Sequence, residues 1–348
     1  MGVLETQLGV TLAEHTTLRV GGPARRMVLA ESEDELVRLV TRLDAEGEHV
    51  LVLGGGSNVL VGDDGFDGTV VRVATSGVRP DVSACSGALV EVSAGEDWEA
   101  LVARSVSEEW SGLEALSGIP GAVGASPIQN IGAYGADVSQ TIATVRTLDR
   151  RTGRRTTFAA ADCRFGYRDS RFKAEPGRFL VLSVTFQLPL GSLSAPVRYP
   201  ELARALGVQV GERVPASDVR EAVLALRRSK GMVLDAADPD TWSAGSFFTN
   251  PLLTRAESDA LPSGAPRFDH PDGRVKTSAA WLIERAGFAK GYGSGPARLS
   301  SKHTLALTNR GGAWAADLLA LARQIRSGVE TAFAITLVPQ PLLVNCEL

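Results

Sequence analysis

The sequence predicts a mixed protein, α/β or α+β, built in two or three lobes. Three observations carry that reading. The chain has 348 residues, more than one ordinary core accommodates. Strand-like and helix-like segments alternate along it, but without the regular βαβαβ repetition of a doubly wound sheet. A long stretch, 112–138, is studded with Gly and Pro yet too apolar for a disordered linker. Segments of that kind are held by a ligand or by close backbone packing.

Taken in order, RMVLA (26–30) reads as a short strand and ESEDELVRLVTRLDAEGE as a helix. Leu36, Val37, Leu39, Val40 and Leu43 fall at helical spacing, and Ser32 with Glu35 forms a capping-box pair. HVLVLG (49–54), TVVRVA (69–74) and ALVEVSAG (88–95) are strand runs. DWEALVARSVSEEW (97–110) is a helix, apolar at Trp98, Leu101, Val102 and Val106. TIATVRTLD (141–149) and TTFAA (156–160) form a hairpin around RRTGR, and FLVLSVTFQL (179–188) is another strand. A boundary is expected at PLGSLSAP (189–196). SDVREAVLALRRSKG (217–231) is a helix with Ser217 as N-cap. Residues 235–275 are loop-rich, SAAWLIERAG (278–287) is a helix closed by Gly287, and HTLALTN (303–309) is a strand. AWAADLLALARQIRSGVE (313–330) is a long helix, and AITLVPQPLLV closes the chain as a strand. No internal repeat interrupts this order.

Composition excludes several classes. The net charge is −4 with no basic stripe, which argues against a nucleic-acid partner. Apolar runs fall far short of the roughly 18 residues of a membrane span. MGVLETQLGV lacks a basic n-region followed by an apolar core, so no secretory signal is expected, and Met1-Gly2 gives little support for myristoylation. Cys85, Cys163 and Cys346 are far apart, odd in number and in no CxxC pattern, as expected of reduced thiols in the cytoplasm. His15, His49, His270 and His303 form no HExxH and no ligand cluster, so no metal is expected.

The Walker A pattern, a strand–GxGxxG–helix unit and the GxSxG elbow are all absent. Three glycine clusters remain. LGGGSN (53–58) directly follows a strand; its glycines can expose backbone N–H groups as an anion nest, and Ser57 and Asn58 add polar side chains. Alone it reads equally as a flexible turn. LRVGGPA (18–24) and SGIPGAVGAS (117–126) are the others. Together they point to several backbones meeting one extended phosphate-bearing ligand.

LRVGGPA, VLGGGSNVLVGDDGFDG, SGIPGAVGASPIQNIGAYGADV, CRFGYRDSRFK, AGSFFTNP, VKTSAAWLI and KHTLALTNRG occur in this order. From about residue 15 onward the chain thereby resembles the UDP-N-acetylenolpyruvoylglucosamine reductase (UDP-N-acetylmuramate dehydrogenase) family. APVRYPEL (195–202) is similar to the subgroup with a tyrosine loop over the substrate. The resemblance implies a vanillyl-alcohol-oxidase-type (PCMH-type) FAD-binding fold. Two α/β subdomains, 1–75 and 76–212, are expected, with the C-terminal strand 331–348 returning to the second. A third, α+β substrate-binding domain would cover 213–330. The implied activity is FAD-dependent, NADPH-consuming reduction of an enolpyruvyl ether on a UDP-sugar, giving UDP-N-acetylmuramate for peptidoglycan. A cytoplasmic monomer acting on a small molecule is the family expectation.

Reducing such a double bond needs hydride at one carbon, stabilisation of charge at its neighbour and carboxylate, and a proton there. A guanidinium can hold the carboxylate, and Arg168 in FGYRDSRFK matches the family's catalytic arginine. Read alone, Arg168 would be a surface residue paired with Asp169. Ser246 in SAGSFFTNP matches the proton donor, although its spacing alone describes only a loop serine. The resemblance implies substrate contacts from Tyr199, Lys230 and Asn250. Lys302 and Lys302's neighbour His303 lie in a matching motif without an assigned role. FAD contacts are implied at Arg19, Val20, Gly21, Gly22, Gly54, Gly55, Gly56, Ser57, Asn58, Ser117, Gly118, Ile119, Pro120, Gly124, Ser126, Asn130, Gly132 and Tyr134.

The family's last strand carries a catalytic glutamate. In TLVPQPLLV (336–344) Gln340 stands in its place. An amide can hydrogen-bond there but cannot carry a proton. Three activities are therefore open: the reductase with reduced turnover, a paralogous flavin reductase on a related enol acid, or a flavin- and UDP-sugar-binding protein without turnover.

Overall fold

The computed structural model describes residues 5–348; the start of the N-terminal stretch read for targeting signals, residues 1–4, lies outside them. The elements run β1 (Thr6–Thr11), β2 (Pro23–Ala30), α1 (Glu33–Ala45), β3 (Val50–Leu53), β4 (Val59–Val61), β5 (Phe66–Val73), β6 (Val78–Ser83), β7 (Gly87–Ser93) and α2 (Trp98–Ser107). Then come β8 (Gly132–Ala133), β9 (Ala136–Asp137), β10 (Ile142–Asp149), β11 (Arg154–Ala159), α3 (Arg171–Ala174), β12 (Phe179–Leu188), α4 (Pro200–Leu206) and α5 (Ala216–Ser229). The remainder holds β13 (Leu252–Leu253), α6 (Arg255–Ala260), β14 (Phe268–Asp269), β15 (Val275–Lys276), α7 (Ala279–Arg285), β16 (Ala297–Leu299), β17 (Leu307–Asn309), α8 (Ala315–Phe333) and β18 (Leu342–Val344).

Contacts group the described residues into two compact units, one of residues 5–10, 24–55 and 67–229, the other of 11–23, 56–66 and 230–348. In the first unit, β3 and β5 run parallel inside the sheet β1-β2-β5-β3. The sheet β11-β10-β12-β7-β6 is antiparallel throughout. Its middle strand, β12, is buried along nearly its whole length, as an apolar run covered on both faces should be. Helix α1 starts with the expected reciprocal cap: Ser32 Oγ accepts from Glu35 N, and Glu35 accepts from Ser32 N. Leu36, Leu39, Val40 and Leu43 form its buried stripe. Burying each such side chain stabilises the fold by about 1.5–3 kcal/mol.

The second unit packs α7 and α8 with Phe247, Phe248, Leu299 and Leu307 around its own core. One of its two-stranded sheets pairs β18 in parallel with β4, Leu342 to Val344 against Val59 to Val61. The closing strand thus pairs with residues 59–61, which follow GGGSN and fall within the expected first subdomain, 1–75.

Three local readings change. Helix α5 begins at Ala216, because the Pro215 carbonyl already accepts from Asp218 N and Val219 N; Ser217 is inside the first turn rather than its cap. The strand expected over 303–309 is only β17, since Ala306 N closes a turn onto His303 O. The C-terminal run is strand only over β18: Ala334 ends α8 at φ +56°, and Pro339 and Pro341 have no N–H to give a ladder.

Candidate functional site

In the first unit, the glycine clusters meet through their backbones. A Cβ on Gly55 would lie 2.8 Å from Gly121 Cα, one on Gly54 3.2 Å from Ala122 Cβ, and one on Gly124 2.5 Å from Ala94 Cβ. Close packing onto 121 and 94 requires glycine at 55 and 124, whereas a Cβ at 54 would need only a small shift of Ala122. Ser117 is fully buried; its hydroxyl donates to Glu114 O and accepts from Arg220 Nη1. Arg220 also pairs with Glu99 at 2.6 Å, and Glu99 accepts from Gly118 N. Ser117 and Gly118 are therefore held from within.

The 126–134 loop behaves differently. Ser126 Oγ and Gln129 Oε1 are buried with no hydrogen-bond partner among the described residues. Buried polar atoms are almost always satisfied, so these two fit a bound polar group. Gln129 was missed in the sequence; its signal was a polar residue inside the motif SPIQNIGAYG. Asn130, at φ +46°, spends its side chain internally, donating to Gly166 O at 3.1 Å and accepting from Ser139 N at 3.0 Å.

Arg168 is the third residue of a tight turn in which Gly166 and Asp169 exchange backbone hydrogen bonds. Its φ is +52°, a strained conformation for a side chain of this size. The guanidinium donates to Asn130 O at 3.1 Å and to Gly132 O, and it forms no ion pair with Asp169. Loss of solvent pulls its pKa below the ordinary arginine value, which leaves it a cation at any relevant pH. A partly buried guanidinium held by two carbonyls suits an incoming carboxylate.

Tyr134, at φ +49°, meets Tyr199 edge-on with centroids 5.7 Å apart. Burial pushes the Tyr134 phenol up to about 12 and raises that of Tyr199, so both remain protonated donors. Tyr199 also sits at the N-cap position of α4 and is 42% exposed, accessible to a ligand.

In the second unit, Gly22 and Gly56 are needed for the same steric reason. A Cβ would lie 2.0 Å from Asp63 O and 1.9 Å from His15 O, respectively. Gly21, at φ +129°, accepts from Ala13 N through its carbonyl, and Val20 is in the core. Thr17 binds this region together: its N–H donates to Gly56 O, and its hydroxyl donates to Ser243 O at 2.7 Å. Asn58 Nδ2 donates to Gln340 O, while Asn58 Oδ1 is buried without a partner among the described residues.

Residues 338–340 run antiparallel to 247–249. Phe248 bridges Pro339, Thr249 N donates to Val338 O, and Gln340 N donates to Phe247 O at 2.8 Å. The structure thereby brings Gln340 beside the residue next to Ser246. Neither the Ser246 hydroxyl nor the Gln340 amide hydrogen-bonds any described residue. Asn250 Oδ1 accepts from Ala279 N at the start of α7. Lys230 directly follows α5. Lys302 pairs with Asp238 at 2.6 Å. Its pKa rises, chiefly through that hydrogen bond.

Polar atoms without internal partners thus occur in both units: Ser126 Oγ and Gln129 Oε1 in one, Asn58 Oδ1 in the other. Within the first unit, Ser126 Oγ and Gln129 Oε1 fit a bound group that offers hydrogen-bond donors.

Comparison with known proteins agrees with this chemistry. Residues 24–159 match an FAD-binding domain family, and residues 238–344 match the C-terminal domain of UDP-N-acetylenolpyruvoylglucosamine reductase. The UDP-N-acetylenolpyruvoylglucosamine reductase of Cutibacterium acnes is 60% identical, covering 97% of this chain and 90% of its own length. That of Thermobifida fusca is 54% identical over 97% and 98%. The crystal structure of the Thermus caldophilus enzyme superposes with a TM-score of 0.65 at 25% identity, covering 98% of this chain and 99% of that one.

Proposed function

The chain belongs to the UDP-N-acetylenolpyruvoylglucosamine reductase family, and from that membership we propose how its own residues divide the reaction. It is an FAD-dependent, NADPH-consuming oxidoreductase of peptidoglycan precursor synthesis. It reduces UDP-N-acetylglucosamine enolpyruvate to UDP-N-acetylmuramate. The observation that carries this is the 60% identity over 97% of the chain to a reductase of that name.

FAD, when bound, supplies hydride transfer from NADPH to the enolpyruvyl double bond. Buried orphan atoms at Ser126 and Gln129 would supply polar contacts to that group. Backbone N–H groups of 54–58 would line its phosphates. Arg168 holds the substrate carboxylate and stabilises the charge that develops there. Ser246 Oγ, which has no internal partner, delivers the proton to the neighbouring carbon. Tyr199, Lys230 and Asn250 hold the UDP-sugar diphosphate. Gln340 fixes the orientation of substrate or solvent by hydrogen bonding and carries no proton. In functional terms 1–75 and 76–212 serve the flavin and 213–330 the sugar nucleotide. The proposed setting is a cytoplasmic monomer.

Anaerobic stopped-flow mixing tests the reading. NADPH should bleach the flavin, and UDP-N-acetylglucosamine enolpyruvate should then restore its colour faster than solvent does. Gln340 favours a second reading, a paralogue acting on a related enol acid. That reading requires fast bleaching with no recovery on the peptidoglycan precursor. Binding of the precursor with neither step would identify a non-catalytic binder.

A further inference from the structure

We propose that Trp242 is a positioning residue: its indole seats the Arg19 guanidinium for a diphosphate ester and ties that grip to the loop carrying Ser246. The proposal rests on the reading of Arg19 as a contact to the cofactor.

The guanidinium carbon of Arg19 lies 3.9 Å from the centroid of the Trp242 ring, well within the range of a cation–π contact. Contact with the ring occupies one face of the guanidinium and leaves the edge N–H donors open. None of them hydrogen-bonds a described residue, and Arg19 is exposed. The guanidinium is oriented and has unused donors, which is the arrangement that binds phosphate with two parallel hydrogen bonds.

The stem beneath it is fixed. Arg19 has φ +54°, its N–H donates to Thr16 O, and its carbonyl accepts from Asn309 Nδ2 at 3.0 Å. Thr16 Oγ1 donates to Val20 O and closes the turn. Asn309 also donates its backbone N–H to Trp242 O at 3.1 Å. One residue therefore clamps both partners of the stack.

A separate observation points to a ligand. Trp242 Nε1 is buried and has no partner among the described residues, although indole N–H groups usually find one when buried. The stacked arginine and the orphaned indole both await an acceptor.

Trp242 also begins the loop that reaches Ser246. Thr17, two residues before Arg19, donates to Ser243 O at 2.7 Å, and Gly245 N donates to Ser243 Oγ at 3.2 Å. The turn that carries the guanidinium and the loop that carries the serine are thus joined at adjacent residues. Occupation of the Arg19 donors by a diphosphate restrains the Ser246 loop through Trp242 and Thr17.

The test uses the full chain stripped of flavin and titrated with FAD or riboflavin, read by flavin fluorescence, with thermal melts for every variant. Arg19→Ala and Trp242→Leu should each weaken FAD about 5- to 30-fold, between the strength of an exposed cation–π contact and that of one which bound ligand desolvates. Riboflavin, which lacks phosphate, should bind them as it binds the parent. Trp242→Phe should restore FAD affinity to within about twofold, because the aromatic face returns. Should Trp242→Leu fail to fold, Arg19→Lys takes its place: charge is kept, the planar donors are lost, and FAD should weaken similarly. If Arg19→Ala leaves FAD affinity unchanged, the cofactor reading of Arg19 falls and the proposal with it. If Arg19→Ala weakens FAD but Trp242→Leu does not, the positioning role is overturned; if riboflavin weakens equally, the diphosphate grip itself is overturned.

Discussion

Asn58 donates from Nδ2 to the backbone carbonyl of Gln340 at 3.2 Å, across 282 residues of sequence. Leu342 N donates back to Asn58 O, and Gln340 N donates to Phe247 O. Gln340 is thus pinned by its backbone on both sides while its side-chain amide is left unused. The position is built to present a side chain, and in this chain that side chain cannot exchange a proton.

Gln340→Glu should therefore be tolerated structurally and should raise turnover, by about 10²-fold if a carboxyl general acid is what the site lacks. A pH profile of kcat checks this. The variant should acquire a titrating limb that the parent does not have. An unchanged rate and profile would show that Gln340 is no handicap.

Ser246→Ala removes a hydroxyl that makes no internal hydrogen bond, so its melting temperature should barely move. Flavin bleaching by NADPH should also be unaffected. Reoxidation by substrate should slow by about 10²–10⁴-fold. Equal slowing of both half-reactions would argue against a proton-donor role.

Arg168→Lys keeps the charge but loses the planar fork that reaches Asn130 O and Gly132 O together. kcat/KM should fall by about 10²-fold, as for loss of one preorganised charge-stabilising group. Steady-state kinetics with the enolpyruvyl substrate decides it.

Asn130→Ala should destabilise the fold by about 2–4 kcal/mol, combining two lost part-buried hydrogen bonds with the loss of asparagine's tolerance of φ +46°. Urea denaturation measures this. Asn130→Gly, which relieves the backbone strain, should recover part of the loss.

Asp149 contributes an acid-sensitive portion of stability. Its pKa is depressed, first by the hydrogen bonds from Arg178 and then by the backbone N–H of Arg151. A depressed folded-state value means the contribution is complete above the unfolded value of about 3.9 and is lost as pH falls through the lower folded value. Asp149→Asn should remove that part of the acid dependence below about pH 4. Melting temperatures between pH 2 and 7 would reveal it.

Much of the fold was legible because its signals are local. The Ser32–Glu35 box and the stripe at Leu36, Leu39, Val40 and Leu43 lie within a few turns of one helix. The strand at 179–188 reads from its apolar run alone. Boundaries failed where a distant or covalent constraint intervened. Pro215 started α5 one residue before Ser217, and the prolines flanking Gln340 left only three residues of the final strand. Trp242, Asn309 and Thr17 were missed because a loop aromatic, an asparagine and a threonine carry no periodic signal. The one available cue was a tryptophan in the polar run before AGSFF.

The sequence by itself determined the family, the cofactor chemistry and the substitution of Gln340 for a carboxylate, because long motifs preserve residue identity in order. The tertiary structure alone decided what each of those residues is free to do. Asn130 and Ser117 spend their side chains inside the fold, Ser126 and Asn58 keep buried atoms unspent, and Arg19 lies against Trp242. The reason is that a hydrogen bond consumes a donor or acceptor only when a partner is within about 3 Å, and that distance is set by chain segments far apart in the sequence.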